Sequence, residues 1–337
     1  MKKYLLLSQL LIVIFFITGC EDSYDKVPLI LYNEIDPYIL EFEEHILTEA
    51  NGKVDIEVFD SKNSQLIQNE IFDDVLSKNP KLMIINPVDR LSSYTIIEKA
   101  KQENIPIIFI NREPLEADLD LWDQLYYLGA PAENSAVIQS EMIKDLFGSP
   151  NDLSELDKNE DGIIQLVLFK GEQGHQDAEI RSEVVIRELE DYGYSIHTQI
   201  LICDWERPIA YDKMNELLAS LEIDIELVIS NNDAMAIGAI DAMIDNDLFV
   251  DLDEDGIINR ESDIWIPVIG IDGIEEALEY IETGYLFGTV INDSQRMSEI
   301  LIELTHAIIN GDDLTELSFD MIDGKYIWVD YHRFERD

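Results

Sequence analysis

The strongest constraint on the fold is an alternation along the chain. Apolar runs of strand type recur at V-P-L-I-L-Y (27–32), V-D-I-E-V-F (54–59), K-L-M-I-I-N (81–86) and P-I-I-F-I-N (106–111). They continue at Q-L-V-L-F-K (165–170), I-H-T-Q-I-L-I (196–202), E-L-V-I-S-N (226–231), I-P-V-I-G-I (266–271) and L-F-G-T-V-I (286–291). Between most of them apolar residues fall at three- and four-residue spacing, as in A-E-I-R-S-E-V-V-I-R-E-L-E (178–190) and R-M-S-E-I-L-I-E-L-T-H-A-I-I (296–309). The first pattern suits strands buried on both faces and the second suits amphipathic helices. Together they predict parallel sheets covered by helices on both sides. The series is too long for one small sheet. The segment Y-Y-L-G-A-P-A-E-N-S (126–135) reads as a junction, after which a second βα series begins.

The charge excludes several partners. The chain has 337 residues, with 23 Lys and Arg against 71 Asp and Glu. Nucleic acid needs basic stripes to neutralise its phosphates, and an anionic lipid surface repels such a protein. Hydrophobic residues make up 46%, so the chain has enough apolar material for real cores despite its charge.

The N-terminus has its own logic. Lys2 and Lys3 precede a largely apolar stretch, Leu5 to Ile17, too short to span a membrane comfortably. It ends in I-T-G-C at Cys20, which resembles a bacterial lipoprotein signal with Cys20 as the lipidated residue. A short tether follows at 21–26. The anchored body is then expected on the extracellular face of the cell membrane. The other cysteine, Cys203, follows an apolar run and reads as a buried thiol.

In open α/β sheets ligands bind beyond the carboxyl ends of the strands. The residues at those ends are Asp36 and Tyr38, Asn111, then His175, Asp177 and Arg181, then Trp205, Asn231, Asn232, Asp233, Asp272, Asn292 and Asp293. Carboxylates, carboxamides, one His and one Arg can match each hydroxyl of a neutral polyol as donor and as acceptor. Tyr38 and Trp205 can stack on the C–H faces of a pyranose. Asp and Asn after strands also cap helices, and Asp233 and Asp293 read as caps. No G-x-S-x-G, Walker-type glycine loop or H-E-x-x-H is present, so an enzyme is not expected.

Residues 157–165, D-K-N-E-D-G-I-I-Q, form most of a calcium loop. Asp157, Asn159 and Asp161 take positions one, three and five. Gly162 makes the turn, Ile163 offers its carbonyl and Gln165 stands at nine. Position twelve is Leu168, so the closing carboxylate must come from elsewhere, and local sequence does not choose between Glu172 and Glu226. Residues 251–259, D-L-D-E-D-G-I-I-N, nearly repeat the pattern, with Asp251, Asp253, Asp255, Ile257 and Asn259 as candidate ligands. Glu261 or Asp263 would close this second loop.

F-I-N-R-E-P, D-K-N-E-D-G-I-I-Q, K-G-E-Q-G-H-Q-D-A-E-I-R, V-I-S-N-N-D-A-M-A, I-G-I-D and G-T-V-I-N-D together resemble the periplasmic galactose/glucose-binding proteins that serve sugar ABC importers. The resemblance runs from about Val27 to the C-terminus. It implies a type I periplasmic-binding fold of two α/β lobes joined by a three-segment hinge. The first lobe would hold 27–130 and 294–327, the second 131–293 and 328–337, with crossings near Gly129–Pro131, Asn292–Ser294 and Trp328. It implies hydrogen bonds to a hexose from Asp36, Asn111, His175, Asp177, Arg181, Asn232, Asp272 and Asn292, with stacking from Tyr38 and Trp205. Tyr38 departs from the family, which has Phe there. The resemblance also implies that Glu226 closes the first loop around a structural Ca2+. The second loop is a departure, where the best-known members are shorter. The expected protein is a monomer that delivers a galactose, glucose or methyl-galactoside to a permease. The alternative is a sensor presenting its closed form to a chemoreceptor or membrane kinase.

Overall fold

The computed structural model describes residues 24–220 and 224–336. The signal segment and Cys20 lie outside the described residues. The chain runs β1 (Val27–Leu31), α1 (Pro37–Ala50), β2 (Ile56–Asp60), α2 (Gln65–Leu76), β3 (Met83–Ile85), α3 (Ser93–Glu103), β4 (Ile107–Ile110), α4 (Glu116–Leu119) and β5 (Leu125–Gly129). It continues through α5 (Ala132–Phe147), a two-stranded hairpin β6 (Gly148–Ser149) and β7 (Asp152–Leu153), β8 (Ile163–Lys170), α6 (Gln176–Tyr192), β9 (Ser195–Ile202) and α7 (Arg207–Ser220). Then come β10 (Leu227–Ser230), α8 (Asp233–Asp245), β11 (Val268–Asp272), α9 (Glu275–Glu282), β12 (Gly288–Ile291), α10 (Ser294–Asn310), β13 (Tyr326–Trp328) and β14 (His332–Glu335).

Two six-stranded sheets result, ordered β13-β5-β4-β3-β1-β2 and β14-β12-β11-β10-β8-β9. In each, the first strand of the series lies between the second and third, so the winding direction reverses beside it and leaves a crevice at its carboxyl end. Strand side chains alternate between two helix layers. Leu29, Leu31, Ile84 and Ile108 pack with Phe42 and Ile46 of α1 and Leu301 of α10. Ile30, Ile85 and Phe109 face Phe72, Val75, Ile96 and Ile97 of α2 and α3. These side chains are almost wholly buried, each worth about 1.5–3 kcal/mol of transfer free energy. Helix ends are marked locally. Asp36 caps α1 with Pro37 at its first position, and Gly311 closes α10 at φ 71°.

Four expectations need correction. The supposed junction at 126–135 begins inside β5, whose Tyr126 and Tyr127 are core residues, and only its later part leads into α5. Apolar strand and polar crossing adjoin there without a linker, so composition hides the boundary. Trp328, expected to open the second lobe's last segment, pairs with Gly129 in the first sheet. The last strand, β14, runs antiparallel to β12, because the chain returns to the second sheet with no crossover helix. Asp293 does cap its helix, but Asp233 does not: Asn232 caps α8, and the Asp233 carboxylate accepts from the amides of Gly273 and Ile274 at 2.6 and 3.2 Å.

Candidate functional site

The residues at the strand ends serve two local purposes at once. Asp36 Oδ1 accepts from the amides of Tyr38 and Ile39 as a helix cap, and Oδ2 takes the hydroxyl of Tyr32. His175 caps α6 through Nδ1, which accepts the Asp177 amide at 3.2 Å. That bond leaves Nε2 to carry the imidazole proton as a donor. Asn232 Oδ1 caps α8, while its Nδ2 donates to the Trp205 carbonyl at 3.2 Å. Capping and ligand binding are therefore not rival readings of these residues. Capping fixes the side chains that face the cleft.

Tyr38, Asp36, Asn111, His175, Asp177, Arg181, Trp205, Asn232, Asp272 and Asn292 all line one cavity between the lobes. Sequence reading missed two more lining residues, Tyr32 and Arg112. The Arg112 guanidinium lies 3.7 Å from the centre of the Tyr32 ring. Arg112 follows Asn111 directly in N-R-E-P, and Tyr32 ends the first apolar run, so both stood beside nominated positions. Tyr331 was missed as well. Its hydroxyl accepts from Arg181 Nη2 at 2.8 Å and holds the guanidinium in place. The space among the lining residues is narrow, about 40 Å³.

Three buried polar atoms of the lining have no partner among the described residues: Arg181 Nε, Trp205 Nε1 and Asn292 Oδ1. Unpaired buried polar atoms are costly, so a lining that carries two donors and an acceptor in this state is built to meet a polar ligand. Backbone strain gathers here too. Asn111 and Asp272 lie at φ 60° and 123°, and Asp204 and Trp205 at φ 50° and 70°.

Burial raises the carboxyls of Asp36 and Asp177 and lifts that of Asp272 well above the usual range. Burial also pushes His175 well below its ordinary value, aided by Arg112 and Arg181, so its imidazole is neutral. Desolvation works against the charge on Arg181, but Tyr331, Asp272 and Asp177 more than offset it and keep the guanidinium protonated. Burial thus favours uncharged acceptors and donors in this site, beside the guanidiniums of Arg181 and Arg112.

The lobes meet above it. Gln176 Nε2 of the second lobe donates to Glu113 Oε2 of the first at 2.9 Å. The Glu275 amide, at the N-terminus of α9, donates to Glu41 Oε1 at 2.8 Å. Arg112 and Glu172 approach to 3.9 Å. The cleft is shut along these contacts.

The calcium-type loops are a second feature. Glu226, wholly buried on the second sheet, accepts the amides of Lys158 at 2.7 Å and Gln165 at 3.1 Å. Glu172 instead lies at the cleft, near Arg112. Asp157 Oδ1 and Gln165 Oε1 are buried without a partner among the described residues, and Gln165 is 7% exposed. Such acceptors fit a hard cation. In the second loop, carboxylate oxygens of Asp251, Asp253 and Asp255 lie within 4.8 Å of one another. Asp263 accepts the amides of Leu252 and Asn259, and among the described residues the Glu261 carboxylate makes no such bond. Cys203 is buried, its thiol pushed up to about 12 by desolvation, which fits packing and not nucleophilic chemistry.

Comparison with known proteins agrees with this architecture. Residues 27–313 match the family model of the periplasmic binding protein domain. The D-galactose/methyl-galactoside binding periplasmic protein MglB of Haemophilus influenzae is 35% identical over 320 residues, covering 93% of this chain and 90% of that protein. The ribose import binding protein RbsB of Bacillus subtilis is 22% identical, over 82% of this chain and 79% of that one. Among solved structures, a solute binding protein from Bacillus halodurans with bound myo-inositol superposes with TM-score 0.73 at 24% identity, over 93% of this chain and 96% of that one. One from Actinobacillus succinogenes with bound D-allose gives TM-score 0.74 at 18% identity, over 92% and 97%. With its two wound lobes closed over a polar cleft, the chain belongs to the periplasmic binding protein family, whose members bind solutes and are not enzymes.

Proposed function

We propose that the protein captures a neutral hexose, D-galactose, D-glucose or a methyl-galactoside, between its lobes and hands it to a sugar ABC importer. The observation that carries this reading is the trio of orphaned atoms, Arg181 Nε, Trp205 Nε1 and Asn292 Oδ1, in a cavity lined mainly by Asp, Asn, Arg and His. A hexose presents hydroxyls that accept from the first two and donate to the third. Asp36, Asp177 and Asp272 supply further acceptors, and His175 Nε2 a donor. Trp205 and Tyr38 offer ring faces to the apolar side of the sugar. Solvent leaves as the cleft closes, which strengthens each of these bonds. The 35% identity to a galactose and methyl-galactoside binding protein supports this choice of ligand.

Calcium belongs to the same proposal. Asp157, Asn159, Asp161, the Ile163 carbonyl, Gln165 and Glu226 would hold one structural Ca2+, tying the loop before β8 to the start of β10. Asp251, Asp253, Asp255, the Ile257 carbonyl and Asn259, with Asp263 closing, form the candidate second site. Lipidation at Cys20 would keep the binding lobes at the outer face of the membrane, near the permease.

The test is a titration of the full chain in detergent with D-galactose, D-glucose, D-xylose and D-ribose, read by calorimetry and Trp fluorescence. Hexose binding that Trp205→Ala and Asp272→Asn each weaken supports the reading. No binding of any of the four sugars overturns it. Release from the membrane fraction by Cys20→Ser tests the anchor.

A further inference from the structure

The narrow cavity has a neighbour. On the side of Tyr32, Asp36 and Trp205, which line both, it adjoins a second space of about 240 Å³. The first lobe contributes Ile35 and Pro37 to its walls and the second contributes Trp205 and Pro208, with Asn63 and Asp204 among the polar residues beside them. From this we infer that the site takes a hexose extended by a second sugar ring, with one ring in the polar cavity and the other between Ile35 and Pro208. The inference rests on the hexose reading above and adds the size of the ligand to it.

Three observations carry it. First, the space survives closure. The lobes touch at Gln176–Glu113 and at Glu41–Glu275, yet they stand apart between Ile35 and Pro208. A substituent on that side does not oppose the closed form. Second, the chemistry of the wall changes. The inner cavity is lined mainly by Asp, Asn, Arg and His, whereas the outer space sets Ile35, Ala234, two prolines and an indole among the polar and charged groups of its wall. A pyranose ring, apolar on its C–H faces and polar at its edge, matches that division. Ile35 is 84% exposed, a large apolar side chain displayed at the lip of the cleft and not packed beneath it. Third, one residue serves both spaces. Trp205 is held in a left-handed backbone conformation next to Asp204 in the same state, at φ 70° and 50°. Two consecutive strained residues fix the indole where both cavities meet it.

The experiment is calorimetry of the full chain with D-galactose, D-glucose, lactose, maltose and cellobiose. These (1→4)-linked pairs present a ring-sized substituent from position 1 of one unit and position 4 of the other. Ile35→Ser and Pro208→Ser are exposed changes that leave the inner cavity intact. The expected result is that one of the disaccharides binds within tenfold of the better hexose. Both variants should then weaken that disaccharide at least fivefold and leave the hexose within twofold. Hexose binding with all three disaccharides weaker by a hundredfold overturns this inference and spares the hexose reading. So does a disaccharide that neither variant affects. If neither a hexose nor a disaccharide binds, both readings fall.

Discussion

Glu226 and Asp263 occupy equivalent places in two separate loops. Each carboxylate accepts the amides at loop positions two and nine: Lys158 and Gln165 for Glu226, Leu252 and Asn259 for Asp263. The rest of the geometry repeats. The glycine amide at position six donates to the position-one aspartate at 3.0 Å in the first loop and 2.7 Å in the second. Position four is left-handed in both, at φ 56° for Glu160 and 60° for Glu254. The closing residues differ in origin. Asp263 lies just beyond its loop, whereas Glu226, 61 residues past Gln165, immediately precedes β10.

Calcium should therefore stabilise the chain, since binding only to the folded form adds its free energy to folding. Chelation is expected to lower Tm, and Glu226→Gln should remove the first loop's share of that response while Glu172→Gln leaves it intact. Equilibrium dialysis should give two ions per chain, falling to one in Asp263→Asn. One ion in the unsubstituted chain would dismiss the second loop as a solvated turn.

The sugar site makes a sharper demand. Asp272→Asn keeps the size of the side chain but replaces an acceptor by a donor on one side. Leaving a buried sugar hydroxyl without its partner costs roughly 1–3 kcal/mol, so hexose affinity should fall about 5- to 150-fold. Thermal stability without sugar should not fall, because Asp272 is buried and its ionised form is disfavoured there. Equal affinity in the variant would remove Asp272 from the ligand set.

Gly171 acts through Trp205. A Cβ at Gly171 would come within 2.4 Å of the indole ring, so Gly171→Ala must displace it. We expect tenfold or greater loss of hexose affinity together with a shifted Trp emission spectrum in the unliganded chain. A shifted spectrum with unchanged affinity would mean that the indole does not stack on the ligand.

Closure has its own handle in Glu41, which caps α9 of the opposite lobe. Glu41→Ala removes the acceptor for the Glu275 amide without touching the cavity lining. Small-angle scattering should show a larger unliganded radius, and sugar affinity should drop a few-fold, since less of the population is closed. An unchanged radius would show that this contact does not bias the lobes.

Asp233 gives a pH signature. Burial pushes its carboxyl up to about 7, against the bonds from Thr289, Gly273 and Ile274 that favour ionisation. Unfolded, it titrates at about 4. The folded state therefore holds a proton that the unfolded state releases between those values. The contribution to stability is full on the acid side and lost as pH rises through about 7. Asp233→Asn cannot titrate, so the stability difference between variant and parent should grow in the variant's favour over that interval. The growth is at most about 4 kcal/mol, by about 1.4 kcal/mol per pKa unit. A difference that stays flat from pH 4 to 8 would refute the raised value.

Much of this protein was written locally. Alternating apolar runs determined the strands and helices, because burial on two faces leaves a period that nothing else in the chain imitates. The strand-end rule picked out Asp36, Asn111, His175, Trp205 and Asp272 before any contact was known, and the loop spacing at 157–165 set its ligands up to position nine. Resemblance, not spacing, pointed to Glu226. Only the tertiary structure decided the rest. It placed Tyr32, Arg112 and Tyr331 at the site, since their roles come from packing across strands far apart in sequence. It assigned Trp328 to the first sheet, because strand pairing depends on neighbours that local composition does not specify. It separated Asp233 from the helix caps, because Thr289, Gly273 and Ile274 reach it only when β11 and β12 are laid beside β10. And it left open the space between Ile35 and Pro208, a property of how two rigid lobes meet that no single stretch of either encodes.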